Sequence, residues 1–103
     1  MPQNDIPGLA QKEFLIMNLL VGSPRPMYGL QLVELSDGGL KRGTIYVTLN
    51  RLEEKRYVSS RREDAQPGIA MPRRLYKATG LGEKVFNALA AAGGRAWLKE
   101  ALA

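Results

Sequence analysis

The sequence contains no cysteine and no histidine. Their absence excludes disulfides, thiolate nucleophiles and imidazole bases, and it removes the commonest ligands of zinc. The carboxylates fall mostly in pairs among basic residues, Glu53 with Glu54 and Glu63 with Asp64, which is typical of solvated salt-bridge partners. We therefore expect no enzymatic activity, no metal site and no cofactor.

Long apolar runs are also lacking. No uninterrupted apolar stretch approaches the roughly 20 residues that cross a bilayer, and the opening residues carry no basic segment followed by an apolar one. We expect a cytoplasmic protein that does not act at a membrane. A chain of 103 residues suits one modest domain, and a domain of this size gains stability by pairing with a second copy.

Positive charge is concentrated in one third of the chain. Residues 41–77 contain ten basic and four acidic side chains, a net charge of +6, whereas the whole chain carries +5. Such a segment attracts a polyanion, because phosphates neutralised by protein release their condensed counterions. A solvated basic face with no partner is the alternative that charge alone leaves open.

Two helices are predicted ahead of the basic segment. Residues 5–21 are so rich in apolar side chains that a helix there must be buried on more than one side. The two prolines of residues 22–26 end it, because neither fits inside a helix. A second helix is predicted for residues 27–35, and glycine after it provides the expected stop. Its inward side chains are predicted to be Leu30, Leu32 and Val33.

The third predicted helix, residues 43–56, has the clearest periodicity. Ile45, Leu49 and Leu52 recur at helical spacing and predict a buried face. The opposite face is free to meet a partner. Because each residue of a helix turns by 100°, the side chains on or beside that face are Thr44, Val47, Thr48, Asn50, Arg51 and Glu54.

A β-hairpin and a last helix follow. Residues 57–64 and 73–78 lack helical spacing and predict two antiparallel strands, joined by a long loop because its prolines exclude a tight turn. Thr79 is a suitable cap for a last helix. The apolar side chains of that helix are Leu81, Val85, Phe86, Leu89 and Ala92, and Gly93 with Gly94 is expected to kink or interrupt it.

Together these elements predict a mostly α fold with a small β-hairpin (α+β), a winged helix-turn-helix with a C-terminal dimerisation helix. We assign residues 1–79 to the winged-helix domain and residues 80–103 to the dimerisation helix. Two short helices joined by a turn place the second in the major groove of duplex DNA. The basic hairpin then lies along the flanking backbone or reaches the minor groove.

Three motifs resemble those of the PadR family of regulators. Residues 28–32 (YGLQL) are similar to its second-helix signature, residues 43–53 (GTIYVTLNRLE) to its recognition helix, and residues 73–79 (RRLYKAT) with Gly82 to its last strand and helix start. The match covers about residues 10–85 in the same order. Two positions depart from the family: Val47 stands where proline is usual, and no glycine occurs near residues 55–56 ahead of the wing.

The resemblance implies a dimeric regulator, commonly a repressor, that reads a palindromic operator with two recognition helices. Half-sites one DNA turn apart, about 34 Å, would follow from its two-fold symmetry. Predicted DNA-binding residues are Lys41, Arg42, Thr44, Tyr46, Thr48, Arg51, Arg61, Arg62, Arg73 and Arg74. Arg51 is the candidate for a guanine edge, with an ion pair to Glu54 as its alternative, and Tyr46 is either a DNA contact or partly buried packing.

The predicted dimer or ligand interface comprises Phe14, Met17, Phe86, Leu89 and Trp97. Some PadR relatives hold flat aromatic effectors between tryptophans of paired C-terminal helices, which raises the same role for Trp97; dimer packing is the simpler role. The alternative function for the whole chain is that of a winged-helix module that binds an acidic protein surface instead of DNA. Such a module more often exposes large apolar residues on its third helix, where Val47 alone is obvious here.

Overall fold

The computed structural model describes residues 9–63 and 73–94, in which four α-helices pack with a three-stranded antiparallel sheet. The sheet order is β1-β3-β2. This arrangement confirms the predicted α+β class, with a helix-turn-helix followed by a wing. The elements in chain order are α1 (Gln11–Val21), β1 (Met27–Tyr28), α2 (Gly29–Leu35), α3 (Ile45–Glu54), β2 (Val58–Arg62), β3 (Arg74–Ala78), α4 (Gly80–Leu89) and a π-helical turn (Ala90–Gly94).

The first helix is buried almost all round, as its composition predicted, although it begins only at Gln11. The covering side chains come from the same chain. Phe14 and Met17 are fully buried, and the Phe14 ring lies 4.9 Å from that of Phe86, centroid to centroid. These three residues therefore belong to the core of a single chain, which corrects their assignment to a dimer interface. Leu89 is partly exposed, and Trp97 lies outside the described residues.

The second helix is shorter than predicted because Met27 and Tyr28 form strand β1 instead. They pair with Tyr76 and Leu75 of β3, and a strand of two residues leaves no periodic pattern in a sequence. Leu32 is buried and Val33 is half-buried as predicted, but Leu30 is 41% exposed. The inward assignment of Leu30 was therefore wrong, because α2 starts two residues later and meets the core with Leu32.

The third helix ends in a left-handed turn at Arg56. Its Ile45, Leu49 and Leu52 are buried, which confirms the predicted core face. The Tyr57 amide donates to the Leu52 carbonyl at 3.0 Å and the Arg56 amide to the Glu53 carbonyl at 3.0 Å, the hydrogen-bond pair of a Schellman motif. Arg56 has φ 66°, so the turn ahead of the wing, near which the family resemblance led us to expect a glycine, keeps a glycine-like conformation.

Replacing Arg56 with glycine should therefore stabilise the protein. A side chain held in the left-handed region costs about 1 kcal/mol, which glycine does not incur, although its freer unfolded chain offsets part of the gain. We expect Arg56→Gly to raise the free energy of unfolding in urea by roughly 0.5–1 kcal/mol. Glu54→Gly, two residues earlier in regular helix, is the control and should lower it by about 1 kcal/mol. Equal losses in both variants would contradict the turn.

The last helix begins with the predicted cap. The Thr79 hydroxyl accepts from the Gly82 amide at 3.0 Å and donates to the Arg56 carbonyl at 2.7 Å, so it joins the start of α4 to the end of α3. Gly93 has φ 106°, consistent with the predicted interruption of the helix. Within the described stretches, no helix combines the length and apolarity needed to cross a membrane. The division of the chain at residues 79 and 80 stays a prediction.

Candidate nucleic-acid interface

Helix α3 and the turn before it carry six of the ten side chains predicted to contact DNA. Thr44, Tyr46 and Arg51 are exposed, and so are Lys41 and Arg42 in the turn before the helix. The Lys41 carbonyl accepts from the Thr44 and Ile45 amides, at 3.2 and 3.0 Å, which fixes that turn against the helix start. The predicted basic approach to the helix N-terminus is therefore present at the surface.

Thr48 and Arg51 of α3 differ in whether their polar groups already have hydrogen-bond partners. The Thr48 hydroxyl donates to the Thr44 carbonyl at 3.2 Å, and the residue is half-buried, so it is less available to a partner than its position suggested. The Arg51 guanidinium forms no ion pair or hydrogen bond with any residue in 9–63 or 73–94. An ion pair with Glu54, the alternative to a base contact, is thus not formed.

Tyr46 projects toward α2 and its position depends on Gly29. A methyl group added at Gly29 would lie 2.7 Å from Cε1 of the Tyr46 ring and 3.1 Å from its hydroxyl. The ring is still 46% exposed. Tyr46 therefore packs closely on the glycine at the start of α2 while it presents part of its ring to solvent. The packing role is present, and the DNA contact stays a prediction.

The register of the wing separates its arginines. Arg62 of β2 pairs with Arg74 of β3, while Arg61 pairs with Leu75. Successive side chains of a strand point to opposite faces, so Arg61 lies on the face opposite to Arg62. Arg62 and Arg74 share a cleft with Tyr46, whereas Arg61 borders the shallow pocket on the other face that includes Pro26. The structure thus brings only part of the predicted set together.

The loop end of the wing is held by a cluster of Tyr28, Glu63 and Arg73. The Tyr28 hydroxyl donates to Glu63 Oε2 at 2.6 Å, and this hydrogen bond, with burial second, raises the pKa of Tyr28 above its ordinary value. The Arg73 guanidinium lies 4.2 Å from the centroid of the Tyr28 ring and 3.6 Å from Glu63 Oε1. Arg73 is therefore partly neutralised, and the cluster fixes the wing to β1.

A second polar chain ties the wing to α3. The Ser60 hydroxyl donates to Glu53 Oε2 at 2.7 Å and accepts from the Arg74 guanidinium at 3.1 Å. Glu53 also raises the pKa of the Tyr76 hydroxyl, second to burial of that side chain. Glu53 therefore anchors the middle of β2 to α3, and Glu63 anchors the loop end of the wing to β1 while it pairs with Arg73. The prediction of solvated salt-bridge partners did not include these anchoring roles.

Between the wing and the helices lies a cleft of about 610 Å³, which we call the wing cleft. Its walls are aromatic, aliphatic and basic, and the residues are Tyr28, Leu30, Tyr46, Tyr76, Arg62, Arg73 and Arg74. Nothing in the sequence pattern indicated Tyr28 or Tyr76 as site residues, because tyrosines in a strand commonly belong to the core. Alternation along β3, which puts Tyr76 on the face of Arg74, was the available signal.

Comparisons with known proteins agree with this geometry. The model of the PadR-like family of transcriptional regulators matches residues 16–88. Among curated proteins, none matches the sequence significantly. The described stretches contain no cluster of three or more acidic side chains suited to a metal ion.

Solved structures share the fold. A PadR-like transcription factor from Bacteroides fragilis superposes with a TM-score of 0.68 at 29% identity, covering 81% of this chain and 80% of that one. A PadR family regulator from Eggerthella lenta gives 0.66 at 28% identity, with 82% and 75% covered. One from Clostridium difficile gives 0.68 at 23% identity, with 81% and 86% covered, which shows the fold alone. Because the family model spans most of the sequence, this chain belongs to the PadR-like family of transcriptional regulators, which are not enzymes.

Proposed function

We propose that the protein is a transcriptional repressor that binds duplex DNA as a homodimer at a palindromic operator. The observation that carries the proposal is the cleft that α3 and the wing share: Tyr46, Arg62 and Arg74 line it. The Arg51 guanidinium of α3 also has no ion-pair partner within residues 9–63 and 73–94. A helix and an arginine-bearing hairpin on one side of a small domain suit a groove and its flanking phosphates. Such a regulator acts in the cytoplasm.

In this arrangement α3 enters the major groove and the wing follows the backbone. Arg51 is then the candidate to read a guanine, because its guanidinium fork matches the O6 and N7 acceptors. Lys41, Arg42, Arg62 and Arg74 neutralise phosphates. Arg73 contributes less charge than its neighbours, since Glu63 lies 3.6 Å from it.

The register of the wing allows a matched test. We expect Arg62→Ala to weaken operator binding and to reduce the slope of log affinity against log salt by about 0.9, the contribution of one phosphate contact. Arg61→Ala removes the same charge from the opposite face of β2 and should change the slope much less. Operators selected from random duplexes provide the DNA, and binding is measured across a salt series. Equal effects of both variants would contradict the proposed docking face.

A dimer is proposed because the described part of the chain covers an apolar stripe of α4 only in part. Leu81 is 49% exposed, and Val85 and Leu89, at successive four-residue steps, are only partly buried. Leu89 is the one member of the predicted interface set that lies here. A second copy that packs on this stripe would remove the apolar surface from water and set two α3 helices at equal distances from a two-fold axis.

Charge on the stripe should dissociate the dimer. We expect Leu81→Glu to shift the sedimentation of the purified protein toward single chains, because two carboxylates would be desolvated across the axis. Asn87→Glu adds the same acid to an exposed α4 position off the stripe and should leave the dimer intact. Thermal melts of both variants check the fold. A wild-type protein that sediments as a monomer at all concentrations would end this part of the proposal.

Trp97 has two proposed roles, dimer packing and binding of a small aromatic effector that releases DNA. Both fall outside the described residues and rest on resemblance alone. Trp97→Ala separates them. Loss of the dimer supports packing, whereas a normal dimer that no longer responds to an aromatic compound that releases the wild-type protein from DNA supports the effector.

A further inference from the structure

The wing cleft has three properties that the contact with a DNA backbone does not require. Its volume of about 610 Å³ lies within the range of small-molecule sites. It is bounded by β1, α2, α3 and the wing, so its walls come from separate segments of the chain. Among the described residues, three arginines and no acidic side chain line it. These features favour a compact anion.

The basic end of the cleft has one unused guanidinium. Arg73 is engaged by Glu63 and by the Tyr28 ring, and Arg74 donates to Ser60. The Arg62 guanidinium makes no hydrogen bond or ion pair within residues 9–63 and 73–94. Several guanidinium groups at one end of a pocket match a phosphate, whose oxygens accept paired N–H bonds, better than a singly charged carboxylate.

The other walls offer apolar and aromatic surface with an unused hydroxyl. Leu30 and Tyr46 are both more than 40% exposed, although they are large and apolar. Tyr76 is 2% exposed and lines the cleft, and its hydroxyl makes no hydrogen bond within the described part of the chain. A guest with a polar edge would supply a hydrogen-bond partner for this hydroxyl.

We propose that the wing cleft binds a free nucleoside monophosphate. The planar base packs against Tyr46 and Leu30, since aromatic side chains stack on any base. The phosphate meets Arg62 and Arg74, and the Tyr76 hydroxyl bonds a polar atom of the guest. Because Arg62 and Arg74 are also proposed to hold the DNA backbone, the nucleotide competes with DNA; this consequence, unlike the binding itself, rests on the proposed function.

The first experiment measures binding without DNA. Calorimetric titration of the full chain with AMP and GMP should give saturable binding, with adenosine and inorganic phosphate at least tenfold weaker because each lacks one half of the recognised group. Arg62→Ala and Tyr76→Phe should each weaken AMP binding about tenfold, equivalent to ~1.4 kcal/mol. Arg61→Ala, on the opposite face of the strand, should leave it unchanged. Thermal melts confirm that each variant folds.

Three results would overturn the proposal. They are no heat change up to millimolar AMP, binding of inorganic phosphate as tight as that of AMP, and an Arg61→Ala loss equal to that of Arg62→Ala, which would indicate general attraction to a basic surface.

The second experiment adds the selected operator. AMP should lower DNA affinity in wild type, and Tyr76→Phe should bind DNA normally while it resists AMP. AMP binding without DNA binding would reject the proposed function and leave the nucleotide site standing; AMP binding that leaves DNA affinity unchanged would reject the competition.

Discussion

Gly82→Ala should unfold the protein or lower its melting temperature by more than about 10 °C, the shift that a loss of roughly 3 kcal/mol produces in a domain of this size. A Cβ at this position would lie 2.0 Å from the Tyr57 carbonyl oxygen and 2.9 Å from Met17 Cε. The Tyr57 carbonyl is backbone, and it already accepts from the Thr79 amide at 3.0 Å, so it has no direction in which to yield. The start of α4 would have to move away from the wing.

Gly80→Ala is the matched control for this prediction. Gly80 lies in the same helical turn, but a Cβ there meets nothing within 4 Å. Alanine should raise the free energy of unfolding by up to about 1 kcal/mol, because it restricts the unfolded chain and favours helix. Differential scanning calorimetry of both variants decides the matter. A Gly82→Ala protein that melts within a few degrees of wild type would disprove the close approach of α4 to the wing.

Lys55→Met should lower the free energy of unfolding by roughly 3 kcal/mol, because it leaves a buried carboxylate without its cation. Glu13 is 2% exposed, and its Oε1 accepts from Lys55 Nζ and from the Ala10 amide, both at 2.7 Å. Its Oε2 is buried without a hydrogen bond in the described structure. The stability of a charged carboxylate in this position therefore depends strongly on the ammonium group of Lys55.

A double variant tests the cause of that loss. Glu13→Gln removes the charge but keeps an oxygen for the Ala10 amide, so Glu13→Gln with Lys55→Met should be more stable in urea than Lys55→Met alone. Lys41→Met, at an exposed lysine, controls for the general effect of losing a positive charge and should change stability by less than about 0.5 kcal/mol. If the double variant is less stable than Lys55→Met, the burial of an uncompensated charge is not the cause.

Prediction from the sequence succeeded where local pattern decides structure. The Ile45, Leu49 and Leu52 face of α3, the Thr79 cap and the two wing strands each follow from spacing or from the chemistry of a few neighbouring residues. It failed where the pairing of segments distant in sequence determines the structure. Met27 and Tyr28 become a strand only because β3 lies beside them, and Leu30 turns outward as a result.

The predicted dimer interface also shows that sequence pattern alone does not reveal contacts between distant segments. Phe14, Met17 and Phe86 have the composition of an interface as much as that of a core, because both exclude water from apolar side chains. Only the packing of α4 on α1 places them inside one chain. Within the described residues, the exposed stripe that remains runs from Leu81 to Leu89.

By itself, the sequence determined the order of helices, the position of the wing and the concentration of positive charge in residues 41–77, because periodicity, capping and charge are properties of neighbouring residues. The tertiary structure alone decided which arginines share a face, since the register of β2 on β3 separates Arg62 from Arg61. It also formed the wing cleft, whose tyrosines come from β1, α3 and β3. Residues so far apart in sequence meet only when burial of the common core brings their elements together.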